Sequence, residues 1–213
     1  MGHGSEPRLL ALLALRLAGF AEADRIAAAG GIDPTAAAAW LATLDEEGLA
    51  RRRDGTAAGV LSGWSLTPTG RAETLRLLAT EAAATGCRPV VEDSYRRFLA
   101  LNRPLLETTT AWQVRDGRVN DHSDRRYDQR ILDELAAIDA KIEPVLADLT
   151  ACLDRYRRYR PRLTAALARA QAGERAYVDR PLIDSYHTVW FELHEDLLAT
   201  LGLERSSEPV EVS

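Results

Sequence analysis

Apolar residues recur at helical spacing along most of the chain. Leu9, Leu10, Leu13, Leu17 and Phe20 return every three or four positions, which predicts a first helix over about 6–21 with one buried stripe. A second, shorter helix is predicted over about 21–29, stopped by Gly30-Gly31. Asp33 followed by Pro34 is a helix start: a side-chain acceptor, then a residue whose missing N–H costs nothing in the first turn. This third helix runs to about Glu47 and ends at Gly48, with Ala37, Leu41 and Leu44 facing the core. The rhythm then changes. LARRR, a turn rich in glycine (Gly55, Gly59, Gly63) and GWSL read as a β-hairpin with strands near 49–53 and 63–66. Thr67 or Thr69 caps a fourth helix with Leu75, Leu78 and Ala82 inside, and Gly86 and Pro89 mark a domain boundary.

From Val90 onward the pattern predicts only helices. Val91, Tyr95, Phe98, Asn102, Leu105, Thr109 and Trp112 follow steps of four and three, with Pro104 as a bend. The polar run Arg115 to Arg126 reads as a loop. Ile131, Leu135, Ile138, Ile142, Val145, Leu149, Cys152, Tyr156, Tyr159 and Leu163 then keep the four-three rhythm for several heptads. Pro144 should kink that helix and Pro161 should bend or break it. A last helix carries Tyr186, Val189, Trp190, Leu193, Leu197 and Leu201. The fold class is therefore mainly α: an N-terminal domain over 5–86 with a small hairpin, an all-helical region over 87–205, and a frayed tail over 206–213. The heptad stripe is the candidate homodimer seam, although an intramolecular bundle would use the same residues.

Composition adds limits. The net charge is −5, so the chain as a whole is not an electrostatic trap for nucleic acid. Cys87 and Cys152 match no metal or redox spacing, which predicts free thiols and a cytoplasmic protein. LLALLALRLAGFA is interrupted by Arg16 and too short to span a bilayer, so no membrane partner is expected.

Two stretches carry a family resemblance. LATLDEEGLARRR is similar to the end of the recognition helix in bacterial winged-helix repressors, and GWSLTPTGRAE resembles the second wing strand of the MarR and PadR families. Helix, helix, turn, helix, hairpin, helix is also the order of a winged helix-turn-helix domain. A PadR-like layout, with the winged domain first and dimerising helices after it, suits this chain better than a MarR-like one. The resemblance implies a homodimeric transcription regulator that binds double-stranded DNA and answers to a small-molecule effector.

In such proteins the third helix enters the major groove. With Leu41 and Leu44 turned inward, Thr35, Ala36, Ala39 and Thr43 should look outward as DNA contacts. Base readout relies mostly on Arg, Lys, Asn or Gln, and none occurs from Asp33 to Gly48. Residues 1–86 hold 8 basic against 10 acidic side chains, a net of −2. The dense positive charge is Arg51, Arg52 and Arg53, whose alternation along a strand should put Arg51 and Arg53 on one face. Surface pairing of these arginines with Asp45, Glu46 and Glu47 is the competing reading. If the helix no longer reads bases, the alternative function is a protein-interaction or small-molecule sensor module.

Other clusters read mostly as structure. DRYRRYRPR sets five arginines around Tyr156 and Tyr159, and the arginines should form a solvated face paired with acidic residues. Asp184, His187 and His194 are candidate metal ligands, with His122 as a third-ligand donor from elsewhere, but hydrogen bonding at an interface is the favoured role of the two histidines. Tyr95, Phe98, Trp112, Tyr186 and Trp190 are candidate lining for an aromatic ligand pocket, against plain core. No nucleophile elbow, P-loop, dinucleotide fingerprint or zinc-protease motif occurs, so neither an enzyme nor a cofactor is expected.

Overall fold

The computed structural model describes residues 2–55 and 62–203, so the expected tail at 206–213 and the hairpin tip around Gly59 lie outside the described residues. The chain divides into two compact units: 1–88 with 153–155 and the residues from Glu195 onward, and 89–152 with 156–194. Among the described residues no helix is long and apolar enough to cross a membrane.

The first unit opens with α1 (Pro7–Ala18), α2 (Ala23–Gly30) and α3 (Pro34–Glu46). α1 is buried on more than a stripe: Ala11 to Leu15 are all inside, together with Leu9 and Leu17. Two apolar groups share it. Leu12 and Leu15 join Ile26, Leu41, Leu44, Trp64 and Leu66, while Leu9, Leu13 and Leu17 pack with Leu78 and Ala199. The helix ends earlier than expected because Gly19 takes φ 71, a left-handed backbone that costs glycine nothing. Phe20 therefore falls outside the helix and is 38% exposed, not part of the buried stripe.

β1 (Ala50–Arg53) and β2 (Gly63–Leu66) form the expected antiparallel hairpin, with Ala50 opposite Leu66 and Arg53 opposite Gly63. Ala21 adds a short third rung, exchanging backbone hydrogen bonds with Trp64 at 2.8 and 3.2 Å. α4 (Pro68–Thr85) is capped by Thr67, whose hydroxyl accepts the Gly70 N–H at 3.0 Å. Gly70 sits so close to the end of α3 that a Cβ there would stand 1.9 Å from the Leu49 carbonyl oxygen. The glycine of the LTPTG stretch thus has a physical reason: it lets α4 start directly under the hairpin.

The second unit holds α5 (Arg88–Gln113, whose first residue belongs to the first unit), α6 (Arg125–Cys152), α7 (Tyr159–Gln171), the short α8 (Ala176–Asp179) and the first half of α9 (Tyr186–Leu201). Where a loop was expected after Gln113, β3 (Val114–Arg115) and β4 (Arg118–Val119) make a two-residue hairpin over Asp116-Gly117, both with positive φ. Asp-Gly favours that turn because both central residues must be left-handed.

The long heptad helix is not continuous. α6 carries Pro144 within it, but stops at Cys152, and a 3-10 segment (Asp154–Arg158) leads into α7. Pro161 falls in the first turn of α7, where its missing N–H and its ring are tolerated at the start of a new helix. α7 then packs on α6. The stripe from Ile131 to Leu163 is buried within the single chain, Ile138 being 5% exposed and Leu149 and Leu163 fully covered. As a dimer seam it is already occupied.

Neither cysteine is a free thiol: Cys87 and Cys152 are both disulfide-bonded. This corrects the expectation of reduced cysteines, since a spacing that fits no metal or redox motif does not decide whether a thiol is oxidised.

Candidate nucleic-acid interface

α3 presents one face outward. Asp33 Oδ1 accepts the N–H groups of Thr35 and Ala36 at 3.0 and 3.1 Å, which fixes the first turn. Ala37, Leu41 and Leu44 point into the core, and Trp40 is half-buried against it. Thr35, Ala39 and Thr43 are exposed, together with Ala38 and Ala42, and Ala36 is half-buried. Thr43 donates its hydroxyl to the Ala39 carbonyl at 3.1 Å, so its methyl is what it offers outward.

The hairpin register separates the three arginines as alternation requires. Arg51 and Arg53 stand opposite Ser65 and Gly63 on one face, and Arg52 stands opposite Trp64 on the other. Arg52 Nε donates to Asp54 at 2.7 Å, a bond that holds its guanidinium above the ordinary value, and the same group lies 5.9 Å from the Trp64 ring. Arg53 lies 5.8 Å over the exposed Phe20. Phe20 can lie there because Gly63 has no Cβ, which would stand 3.0 Å from its ring. Arg51 is exposed and has no carboxylate partner among the described residues. The acidic end of α3 does not neutralise the triplet, since Glu47 is held by Arg8 at 2.7 Å. One of the three cations is paired, and two are left facing out beside an aromatic ring that sequence reasoning had placed inside a helix.

The other candidates resolve differently. The arginine cluster is only in part a solvated face: Arg157 is exposed, while Arg155 is buried and Arg160 and Arg162 are half-buried. Arg155 has a fully covered side chain, bonded to Glu81, to Asp196 at 3.4 Å, to Thr200 at 2.8 Å and to Ser5 at 3.4 Å. All of these residues lie in the first unit. Arg162 forms a two-point bond to Asp184 at 2.8 and 2.9 Å and reaches Glu192 at 2.6 Å. Burial pulls the Arg162 guanidinium down, and the bonds to Asp184 and Glu192 outweigh it and hold it above its ordinary value. The expected pairing with acids is present, buried at Arg155 and partly exposed at Arg160, which meets Asp139 at 2.7 Å and Glu143 at 3.1 Å.

Asp184 is thus committed to Arg162. His194 is 4% exposed and packs on Phe98 and Tyr95 with ring centroids at 5.0 and 6.1 Å, while His187 is half-buried on α9. Among the described residues no three His, Cys, Asp or Glu converge as a metal site. His122 is engaged elsewhere: its Nδ1 lies 3.0 Å from the buried Asp128, which Asn120 also holds at 3.2 Å, and its ring lies tilted against Trp112 with centroids 4.4 Å apart.

The aromatic set is core, not a pocket. Tyr95, Phe98, Trp112, Tyr186 and Trp190 are all buried. Phe98 stacks on Trp190 at 4.7 Å, and Trp190 Nε1 donates to Asn102 at 3.0 Å. Tyr186 donates to Asp139 at 3.0 Å, and burial together with that carboxylate pushes its hydroxyl well above the ordinary value.

Several surface carboxylates are held low. Asp124 accepts the N–H of Tyr127 and of Arg126 at the start of α6 and also meets Arg115, and Asp121 is stabilised by Ser123. Glu73 and Glu174 are lowered by Arg76 and Arg169. A carboxylate with a depressed folded value stabilises the fold above its unfolded value, and that contribution fades as pH falls through the folded one. The melting temperature, followed by circular dichroism, should therefore drop steadily below about pH 4, the ordinary carboxylate range. Asp124→Asn keeps an N-cap acceptor that does not titrate, and should flatten that acid limb.

No family model, no curated protein and no solved structure matches this chain.

Proposed function

We propose that the protein is a DNA-binding transcription regulator whose first unit is a winged helix-turn-helix domain, acting as a homodimer and responsive to a small molecule. The observation that carries this reading is the joint placement of an outward α3 and a hairpin whose Arg51 and Arg53 share one face without carboxylate partners. Phosphates would meet these two guanidiniums, while Thr35, Ala36, Ala39 and Thr43 would lie along the groove. Two cations per subunit give modest affinity and a shallow dependence on salt. A homodimer would have to use a surface other than the stripe of α6 and α7.

One feature favours a second reading. The exposed face of α3 offers methyl groups and the Thr35 hydroxyl, and no side chain able to make paired hydrogen bonds to a base edge. That suits a winged-helix module for protein contacts or small-molecule sensing that has lost sequence-specific DNA binding.

A shift assay over a salt series, using duplex DNA from upstream of the protein's own gene, separates the two. Under the first reading Arg51→Ala and Arg53→Ala weaken binding to all duplexes alike, by about threefold to tenfold each, because phosphate contacts carry no sequence information. Thr35→Ala relaxes a preference instead. Absence of any shift at low salt overturns the DNA reading and leaves the interaction module.

A further inference from the structure

The first turns of α5 and the last turns of α6 leave an open groove of about 550 Å³ between them. Pro89, Val90 and Ala151 give it apolar walls, Asp93 and Asp148 stand in its lining, and Ser94 and the disulfide-bonded Cys152 complete it. That volume falls within the usual range for small-molecule sites.

Ser94 is the unusual member. It is 1% exposed, and among the described residues its hydroxyl has no hydrogen-bond partner, not even the carbonyl one turn back that a helical serine commonly uses. Buried polar groups are almost always paired, so this one is available to a polar group arriving from the groove.

The charge in the lining has one sign. Asp148 gives Oδ2 to Arg97 at 2.7 Å, and its Oδ1 has no partner among the described residues. Asp93 meets Arg96 at 3.1 Å and Arg97 at 3.7 Å. Neither arginine lines the groove. The groove also reaches the C-terminal end of the 28-residue α6, the negative end of its helix dipole.

From these observations we infer that the groove is a binding site for a small hydrophobic ammonium ion. The ammonium donates to Asp148 Oδ1 and the Ser94 hydroxyl, and its apolar part lies on Val90, Pro89 and Ala151. The site stands apart from the nucleic-acid reading, because it is measured without DNA and either can fail alone.

The test uses the full chain and three probes of similar shape in calorimetric titrations: phenethylammonium, 2-phenylethanol and phenylacetate. Phenethylammonium should bind saturably with one site per chain, about tenfold or more tighter than the alcohol, and phenylacetate should not bind. Asp148→Asn should weaken phenethylammonium about fivefold or more, and Ser94→Ala about threefold, as expected for lost charge-assisted hydrogen bonds. Val90→Trp should fill the groove and abolish binding. Equal binding of the alcohol, no saturation by phenethylammonium at about 10 mM, where any affinity would be too low for a specific site, or unchanged affinity in Asp148→Asn would each overturn the proposal. Asp148 is a half-exposed surface carboxylate, so its variant keeps the fold and carries the test if the tryptophan variant does not fold.

Discussion

Arg155→Met should cost about 3–5 kcal/mol of stability, the usual penalty for removing one partner of a buried ion pair. The substitution roughly conserves volume but takes the cation from Glu81, 6% exposed, and one charged partner from the fully buried Asp196, which keeps its bond to Thr200 at 3.2 Å. Nothing nearby replaces the guanidinium for Glu81, whose Oε1 already lacks a partner while buried. Urea unfolding followed by circular dichroism reads the change in midpoint. The control is the triple variant Arg155→Met, Glu81→Leu, Asp196→Leu, which removes every charge together. It should recover most of the loss, because a well-packed apolar replacement of a buried charge cluster is often neutral or better. A single variant as stable as the parent would show that the cluster contributes nothing.

Gly70→Ala should be nearly as damaging. Alanine in a helix is ordinarily worth about 1 kcal/mol over glycine, so the substitution looks stabilising from sequence alone. Here the new methyl would stand 1.9 Å from the Leu49 oxygen and 2.8 Å from its carbonyl carbon, and backbone cannot swing aside as a side-chain tip can. Thr67 ties the same carbonyl in place, its N–H donating to Leu49 O at 3.0 Å. Either α4 or the chain leading into β1 has to shift. The expected loss is about 3 kcal/mol, the upper end for overpacking, or about 6–12 °C in melting temperature for a chain of this size. A thermal melt within about 1 °C of the parent would mean that the helix start relaxes freely, contrary to the close-packed behaviour of interiors.

Local rules made much of the first unit legible. Asp33-Pro34 marks the start of α3, period-two alternation separates Arg52 from Arg51 and Arg53, and Thr67 before Pro68 marks the start of α4. Each is set by residues a few positions apart. What escaped depends on residues far apart or on one overlooked turn. Asp116-Gly117 carried a readable hairpin signal, yet the charge around it suggested a loop. Phe20 continued an apolar rhythm that Gly19 had already ended. Arg155 lies in a run of arginines that pattern alone assigns to solvent, and its acidic partners, Glu81 and Asp196, are 74 and 41 residues away. Pro161 announced a break but not that α6 would already end at Cys152, with a 3-10 segment between the two helices. Of the candidate interface, α3 and the arginine triplet could be read in advance. The sharing out of the cations among Asp54, Phe20 and open solvent could not, because it depends on the hairpin's final register.

The outer side of α3 also bears on how this molecule could be altered. Ala38, Ala39 and Ala42 make no hydrogen bond with their side chains and are exposed, so longer helix-forming residues fit there at a cost of only a few tenths of a kcal/mol each. The scaffold beneath them, held by Leu41 and Leu44, does not depend on what they are. The helix is therefore a blank template on which new recognition chemistry can be written one position at a time without disturbing the body that displays it.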